Sequence, residues 1–144
     1  MEKITTLLCF LFLFSINETI NSQNILGTYQ IETHATNGKL KRTLILNTDG
    51  SFEFHNYEFH EGGLPQEKNN YARGTWTLHK KLIYFTTLQK DLNDKYTLDF
   101  SASKARFISK SPRDKSNRDI KTALHFYQSE IFWIKGMKLE KIIN

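Results

Sequence analysis

Five histidines, a scatter of carboxylates and one run of cations hold what reactive chemistry this sequence contains. The histidines are His34, His55, His60, His79 and His125. Two of them, His55 and His60, stand among Glu53, Glu58 and Glu61, and imidazole with carboxylate is a ligand set for a divalent transition metal. Side chains of a strand alternate between its faces, so two residues an odd number apart point to opposite sides. An unbroken strand therefore separates His55 from His60, a solvated edge is the favoured reading, and no metal site is assigned. Glu53, Glu58, Glu61, Asp91, Asp94 and Asp99 could supply a glycosidase-type pair, which needs two carboxyl groups roughly 5–10 Å apart. Nothing in their spacing brings any two together, and carboxylates on outward strand faces account for them. There is no Gly-x-Ser-x-Gly elbow, no Ser–Lys pair in a motif context and no phosphate-cradling glycine loop. The single cysteine, Cys9, excludes an internal disulfide and a Cys-based zinc site. No catalytic residue and no cofactor is expected, and the chain is read as a non-enzyme.

The cations are more distinctive. Residues 104–121 (KARFISKSPRDKSNRDIK) place Lys104, Arg106, Lys110, Arg113, Lys115, Arg118 and Lys121 against Asp114 and Asp119. Within this run Lys110, Arg113, Lys115, Arg118 and Lys121 form a candidate anion-binding patch, which would attract a charged partner over a salt-screened range. Lipid headgroups, acidic polysaccharide or an acidic protein fit the expected location of the chain, and nucleic acid is not expected. The plainer reading is a solvated loop with internal pairs, since Arg113–Asp114 and Arg118–Asp119 are adjacent.

That location is argued from the first residues. Met1-Glu2-Lys3 leads into Leu7-Leu8-Cys9-Phe10-Leu11-Phe12-Leu13-Phe14, and polar residues return from Ser15 onward. A short basic start, an apolar stretch of about 7–15 residues and a small residue before a polar segment make a secretory signal. The stretch is too short for a spanning helix, which needs about 20 residues. Residues 1–22 are expected to be a cleaved signal peptide, with cutting near Ser22-Gln23. Lipidation of Cys9 is rejected because it follows Leu8 inside the apolar run rather than small residues after it. Cutting there removes Lys3, Glu2, Glu18 and Cys9, so residues 23–144 carry one more positive charge than the whole chain's +5. All but one of those charges fall in the basic run. An exported domain without cysteine fits a bacterial periplasm, cell surface or secreted location better than a disulfide-stapled extracellular module. No spanning helix is expected after cleavage, and the protein should be soluble and monomeric.

The elements that must position these groups read as strands. The 144 residues contain no valine, so Ile and Thr supply the β-branched positions. Turn residues recur at short, regular intervals between alternating runs, the pattern of an all-β sandwich or barrel. Strands are expected at Ile25–Thr33, Leu40–Asn47, Ser51–Phe59, Ala72–His79, Leu82–Leu88, Tyr96–Phe100, Ala105–Ser109, Ala123–Gln128, Ile131–Ile134 and Met137–Ile142. Asn37-Gly38 signals a hairpin, because both residues tolerate positive φ. Thr48-Asp49-Gly50 and Lys80-Lys81 supply further turns, and His60 to Pro65 breaks a strand. A helical turn is conceivable at Ser111-Pro112-Arg113-Asp114, where Pro suits a first helical position. The fold class is all-β: an antiparallel up-and-down meander of about 8–10 strands in one domain, residues 23–144. Closure into a barrel would remove its exposed edges. Alternation turns Tyr29, Leu44, Phe52, Phe54, Trp76, Leu98, Phe100, Phe107, Phe126 and Trp133 toward the interior.

Gly27-Thr28-Tyr29 opens the first of these strands, Thr48-Asp49-Gly50 precedes Ser51-Phe52, and Gly74-Thr75-Trp76 opens a later one. In these features the chain resembles the small exported lipocalin-like (calycin-type) domains, whose first strand carries Gly-x-Trp. It departs from them in having Tyr29 in place of Trp, and in lacking a C-terminal helix. The resemblance implies an eight- to ten-stranded barrel that holds an apolar ligand, and it implies no chemistry.

Three readings follow in order. The first is a lipocalin-like binding module for a small apolar ligand, with an interior cavity above about 300 Å³. Its candidate lining is Tyr29, Phe52, Phe54, Trp76, Phe100, Phe107, Phe126 and Trp133. The second is a protein-interaction or envelope accessory module with a filled core and a basic binding segment. The third, a hydrolase of cell-envelope carbohydrate, has no signature in the sequence.

Overall fold

Short alternating runs punctuated by polar turns fold here into eight antiparallel strands. In the computed structural model, which describes residues 24–143, they are β1 (Gly27–Ala35), β2 (Gly38–Leu46), β3 (Ser51–His60), β4 (Glu67–His79), β5 (Leu82–Thr86), β6 (Lys104–Ile108), β7 (Ala123–Gln128) and β8 (Lys138–Lys141). The signal expected at residues 1–22, with Cys9, lies outside the described residues. Each strand pairs with the next and β8 returns to β1, so the sheet is an up-and-down meander closed into a barrel.

Local chemistry sets the turns. Between β2 and β3, Gly50 takes φ 82°, and the Asp49 carboxylate accepts from the Ser51 amide at 2.8 Å and its hydroxyl at 2.6 Å. The β1–β2 hairpin forms one residue earlier than Asn37-Gly38, over Thr36-Asn37, with Ala35 opposite Gly38. Gly38 is needed for close approach instead: a Cβ there would stand 2.8 Å from the Phe59 carbonyl oxygen.

Three sequence expectations are corrected. Tyr96–Phe100 is not a strand. It belongs to the connection between β5 and β6, where only Tyr96 bridges a neighbour, Tyr71, in parallel. Its alternation reflects anchoring, since Phe100 is buried while its amide bonds to the Thr87 hydroxyl at 3.1 Å. Ile131–Ile134 is a turn, closed by the Ile134 amide on the Ile131 carbonyl at 2.9 Å. An apolar pair three residues apart buries itself as well on one turn as on a strand. Finally, β4 starts at Glu67 rather than Ala72, because ladder hydrogen bonds to β3 hold the polar residues Glu67–Tyr71 extended. At Ser111–Asp114 the chain makes a single turn, the Asp114 amide bonding the Ser111 carbonyl at 2.9 Å, and no helix.

Closure is uneven, and this positions everything that follows. All nine residues of β1 pair with β2, but only Tyr29 and Gln30 pair with β8. Likewise β5 pairs with β4 only from Thr75 to His79. The barrel is therefore sealed over the first part of β1, while its last five residues, Ile31–Ala35, are exposed. Beyond the seal, β1 to β4 run on as a four-stranded lip. The β1–β2, β3–β4 and β7–β8 turns lie at this open end. The meander puts the β6–β7 loop, which carries most of the basic run, at the other.

Candidate binding site

Seven of the eight candidate ligand-lining aromatics lie together inside the sealed half, and Trp133 meets them from the β7–β8 turn, its ring 6.2 Å from that of Phe54. Tyr29, Phe52, Phe54, Phe100 and Phe126 are fully buried, Phe107 nearly so, and Trp76 and Trp133 are half-buried against them. Rings meet rings: Phe54 to Phe100 at 4.9 Å, Phe52 to Phe85 at 5.1 Å, Phe85 to Phe126 at 5.3 Å. Such offset and edge-to-face contacts are how aromatics fill a core. The Tyr29 hydroxyl donates to the Ile25 carbonyl, and burial raises its pKa above the ordinary phenol value. Two clefts of about 410 Å³ open on the surface, and of the eight aromatics only Phe54 touches either.

One cleft lies on the inner face of the lip. Strand parity explains its walls: the side of β3 that carries Phe52 and Phe54 continues with Asn56, Glu58 and His60, and β2 matches them with Arg42 and Leu40. Apolar residues thus give way to polar ones on the same face as the strands leave the sealed barrel. Asn56 is fully buried and is the hub. Its side-chain oxygen accepts from Arg42 Nε at 2.9 Å, and its amide nitrogen donates to Glu58 Oε1 at 2.9 Å and Asn70 Oδ1 at 3.3 Å. The β7–β8 turn covers Arg42 from the other side, with the guanidinium 4.6 Å from the Trp133 ring centroid. Arg42 Nη1 donates to the Trp133 carbonyl at 3.4 Å. Burial lowers the Arg42 pKa and the charge of Glu58 raises it, which leaves a charged, partly desolvated guanidinium. Its Nη2 has no hydrogen bond among the described residues. Leu40, Ala35, Thr33 and His60 complete the cleft beside Arg42 and Glu58.

No motif or charge run in the sequence marks Arg42 or Asn56, and Glu58 enters there only as one of the carboxylates weighed for a metal or a glycosidase pair. The signal available was parity, because polar residues at even positions of β3 share a face with Phe52 and Phe54.

The other sequence candidates are dispersed. His55 and His60 lie on opposite faces of β3, as the odd spacing requires: His55 Nε2 is 2.7 Å from Asn69 Oδ1, while His60 Nε2 is 4.0 Å from a Glu58 oxygen. Among the described residues no three His, Cys, Asp or Glu side chains cluster as metal ligands. In the basic run, Arg118 pairs with Asp114 at 3.2 Å rather than with its neighbour Asp119. Lys110 donates to the Ser116 carbonyl at 2.8 Å, and Lys121 pairs with Glu140 at 3.0 Å. Arg113 and Lys115 lie exposed on the same loop. Lys104 and Arg106 sit on β6, over the rings of Tyr84 and Tyr127. No helix among the described residues is long and apolar enough to cross a membrane.

Comparison of the chain with protein-family models, with curated proteins and with solved structures finds no match. The barrel, eight antiparallel strands closed on themselves, is consistent with a lipocalin-like fold.

Proposed function

We propose that this chain is an exported, non-catalytic binding module that takes a small amphipathic anion at the open end of its barrel. The observation that carries the reading is Arg42. Its guanidinium is oriented by Asn56, covered by Trp133 and half withdrawn from water, with one edge unpaired beside the apolar wall of Leu40 and Ala35. A preoriented, partly desolvated guanidinium favours a carboxylate or similar planar anion, by charge-assisted hydrogen bonding. The small apolar ligand expected from the sequence keeps its apolar body in this reading. Its place moves from among the packed interior rings to the lip.

The two tryptophans supply the test, since Trp76 lies in the sealed half and Trp133 beside Arg42. In a Trp76→Phe background, titration with decanoate should change Trp133 emission, and decanol should do so much more weakly. Hydrogen bonds to a charged partner are worth about 1.5–3 kcal/mol, so Arg42→Gln should weaken decanoate binding by roughly tenfold to a hundredfold. Equal binding of decanoate and decanol, or no effect of Arg42→Gln, would overturn the reading.

The protein-interaction reading draws its support from the ring-packed interior and from Phe132, which is 85% exposed on the turn that carries Trp133. Aromatic residues are enriched in protein contacts relative to the rest of the surface. Phe132→Ser would then abolish partner capture and leave decanoate binding intact.

A further inference from the structure

The second cleft lies on the outer face of the same strands and has a different construction. Its floor is the outward side of β2 and β3, including Lys41, Ile45, Glu53 and His55, and its wall is Tyr71 of β4 with Lys95 and Tyr96. Outward positions of a sheet are where charged side chains cost least, yet here aromatic rings gather. The His55 imidazole stacks on the Tyr71 ring at 4.4 Å, with 2° between planes, and Tyr96 meets Tyr71 edge-on at 6.0 Å.

The segment that delivers Lys95 and Tyr96 is fixed in place. The Asn93 side chain accepts from the amides of Lys95 and Tyr96, both at 2.9 Å. The Leu98 amide donates to the Tyr71 carbonyl at 3.1 Å. Arg73 donates to the Asp91 carbonyl at 2.9 Å, and its guanidinium lies 4.4 Å from the Tyr96 centroid. Lys95 Nζ stands 4.8 Å from the Tyr71 centroid and 5.2 Å from that of Tyr96. The wall is therefore preorganised, which lowers the entropy cost of binding.

The charges are arranged to discriminate. Lys39, at the cleft's edge, is paired with Glu32 at 2.7 Å. Lys41 and Glu53 have no ion-pair partner among the described residues, and the ammonium of the exposed Lys95 lies over rings without an ion-pair partner among them. The cleft thus offers two cations for acidic groups, one carboxylate to accept from hydroxyls, and ring surface for C–H faces.

We infer that this outer cleft binds an acidic oligosaccharide, with sugar rings lying against the tyrosine wall and their carboxylates meeting Lys41 and Lys95. A single-stranded nucleic acid would also seek rings and lysines. It fits less well, because a base needs an open ring face and one face of Tyr71 is already taken by His55, and because Glu53 finds hydroxyl donors along a sugar chain and none along a DNA backbone. This site is independent of Arg42, which faces the other side of the sheet.

The experiment is a titration of the isotope-labelled protein with a hexamer of β-linked mannuronate, followed by amide chemical shifts. Neutral mannohexaose and six-residue oligothymidylate serve as comparisons. Shifts are expected at Tyr71, Lys95, Tyr96 and Glu53 with the acidic sugar, and weaker ones with the neutral sugar. Raising salt should weaken binding of the acidic sugar. Lys41→Gln and Lys95→Gln should each lower its affinity about twofold to fivefold, the range of exposed ion pairs. Tyr71→Ala should lower it further, and Arg42→Gln should leave it unchanged. Since Tyr71→Ala could loosen the loop, the two lysine variants, which leave the rings in place, are the decisive ones. No shift with the acidic sugar, stronger binding of the oligothymidylate, or unaltered affinity in both lysine variants would overturn the inference.

Discussion

Replacement of Phe100 by Ala tests whether the barrel interior is filled. The ring is fully buried on the connection between β5 and β6. Its centroid lies 4.9 Å from Phe54, 5.4 Å from Phe52, 6.0 Å from Phe85 and 6.1 Å from Phe126. It therefore touches core rings of three strands, β3, β5 and β7, at once, and its removal leaves a hole that four rigid rings cannot close. Phe→Ala in a core costs about 3–5 kcal/mol through lost transfer energy and the residual cavity. The many ring contacts put Phe100 toward the upper end. For a domain near this size 1 kcal/mol moves Tm by about 4 °C, so a fall of roughly 15–20 °C is expected. Calorimetry, or urea unfolding with an unchanged slope, measures it. The slope matters because a changed slope would signal a different denatured or native state. A loss below about 1 kcal/mol would mean that Phe100 lines open space, and would refute the filled interior.

Other expectations follow from single contacts. Gly74→Ala should destabilise by about 1–3 kcal/mol or more, because the new Cβ would stand far too near the Thr86 carbonyl oxygen and 3.0 Å from the Phe52 ring; a thermal melt reads it. Asn56→Ala leaves Arg42 Nε unpaired in a half-buried setting and should cost about 1–3 kcal/mol, with a change in Trp133 emission as the accompanying sign. Acid should destabilise the fold through specific turns. The folded-state pKa of Asp49 is lowered by the Ser51 hydroxyl and amide, that of Asp114 by Ser116, and that of Glu32 by Lys39. Depressed carboxylate pKa values give stability that is present above the unfolded values and lost as pH falls through the folded ones. Melting temperature should therefore decline below about pH 4, and Asp49→Asn should flatten that decline. A flat profile in the parent protein would contradict it.

Much of this architecture is legible in the sequence, and the failures have physical causes. Two-residue alternation finds β1, β2, β3 and β7, because each turns one side to a shared core while the other stays polar. The same alternation misleads at Tyr96–Phe100, where side chains anchor a loop without a ladder, since alternation reports burial and not hydrogen bonding. It misses Glu67–Tyr71 for the opposite reason: that stretch is strand by virtue of its partner β3, not of its own apolar content. Parity names most of the interior aromatics but not Phe85, buried on β5, because that run begins apolar on both faces. Whether they enclose space depends on ring-to-ring distances that no periodicity encodes. Arg42 and Asn56 lie on a core-facing side beyond the end of the core, and only the uneven closure of β1 on β8 shows that water reaches Arg42 beside the buried Asn56.

The account turns on where an amphipathic anion sits. Amide and aromatic chemical-shift mapping with decanoate places it directly. The proposed site predicts perturbations gathered at Leu40, Arg42, Asn56, Glu58, His60 and Trp133. Perturbations centred on Phe52, Phe85, Phe100 and Phe126, with Arg42 and Glu58 unmoved, would contradict it and return the ligand to the barrel interior.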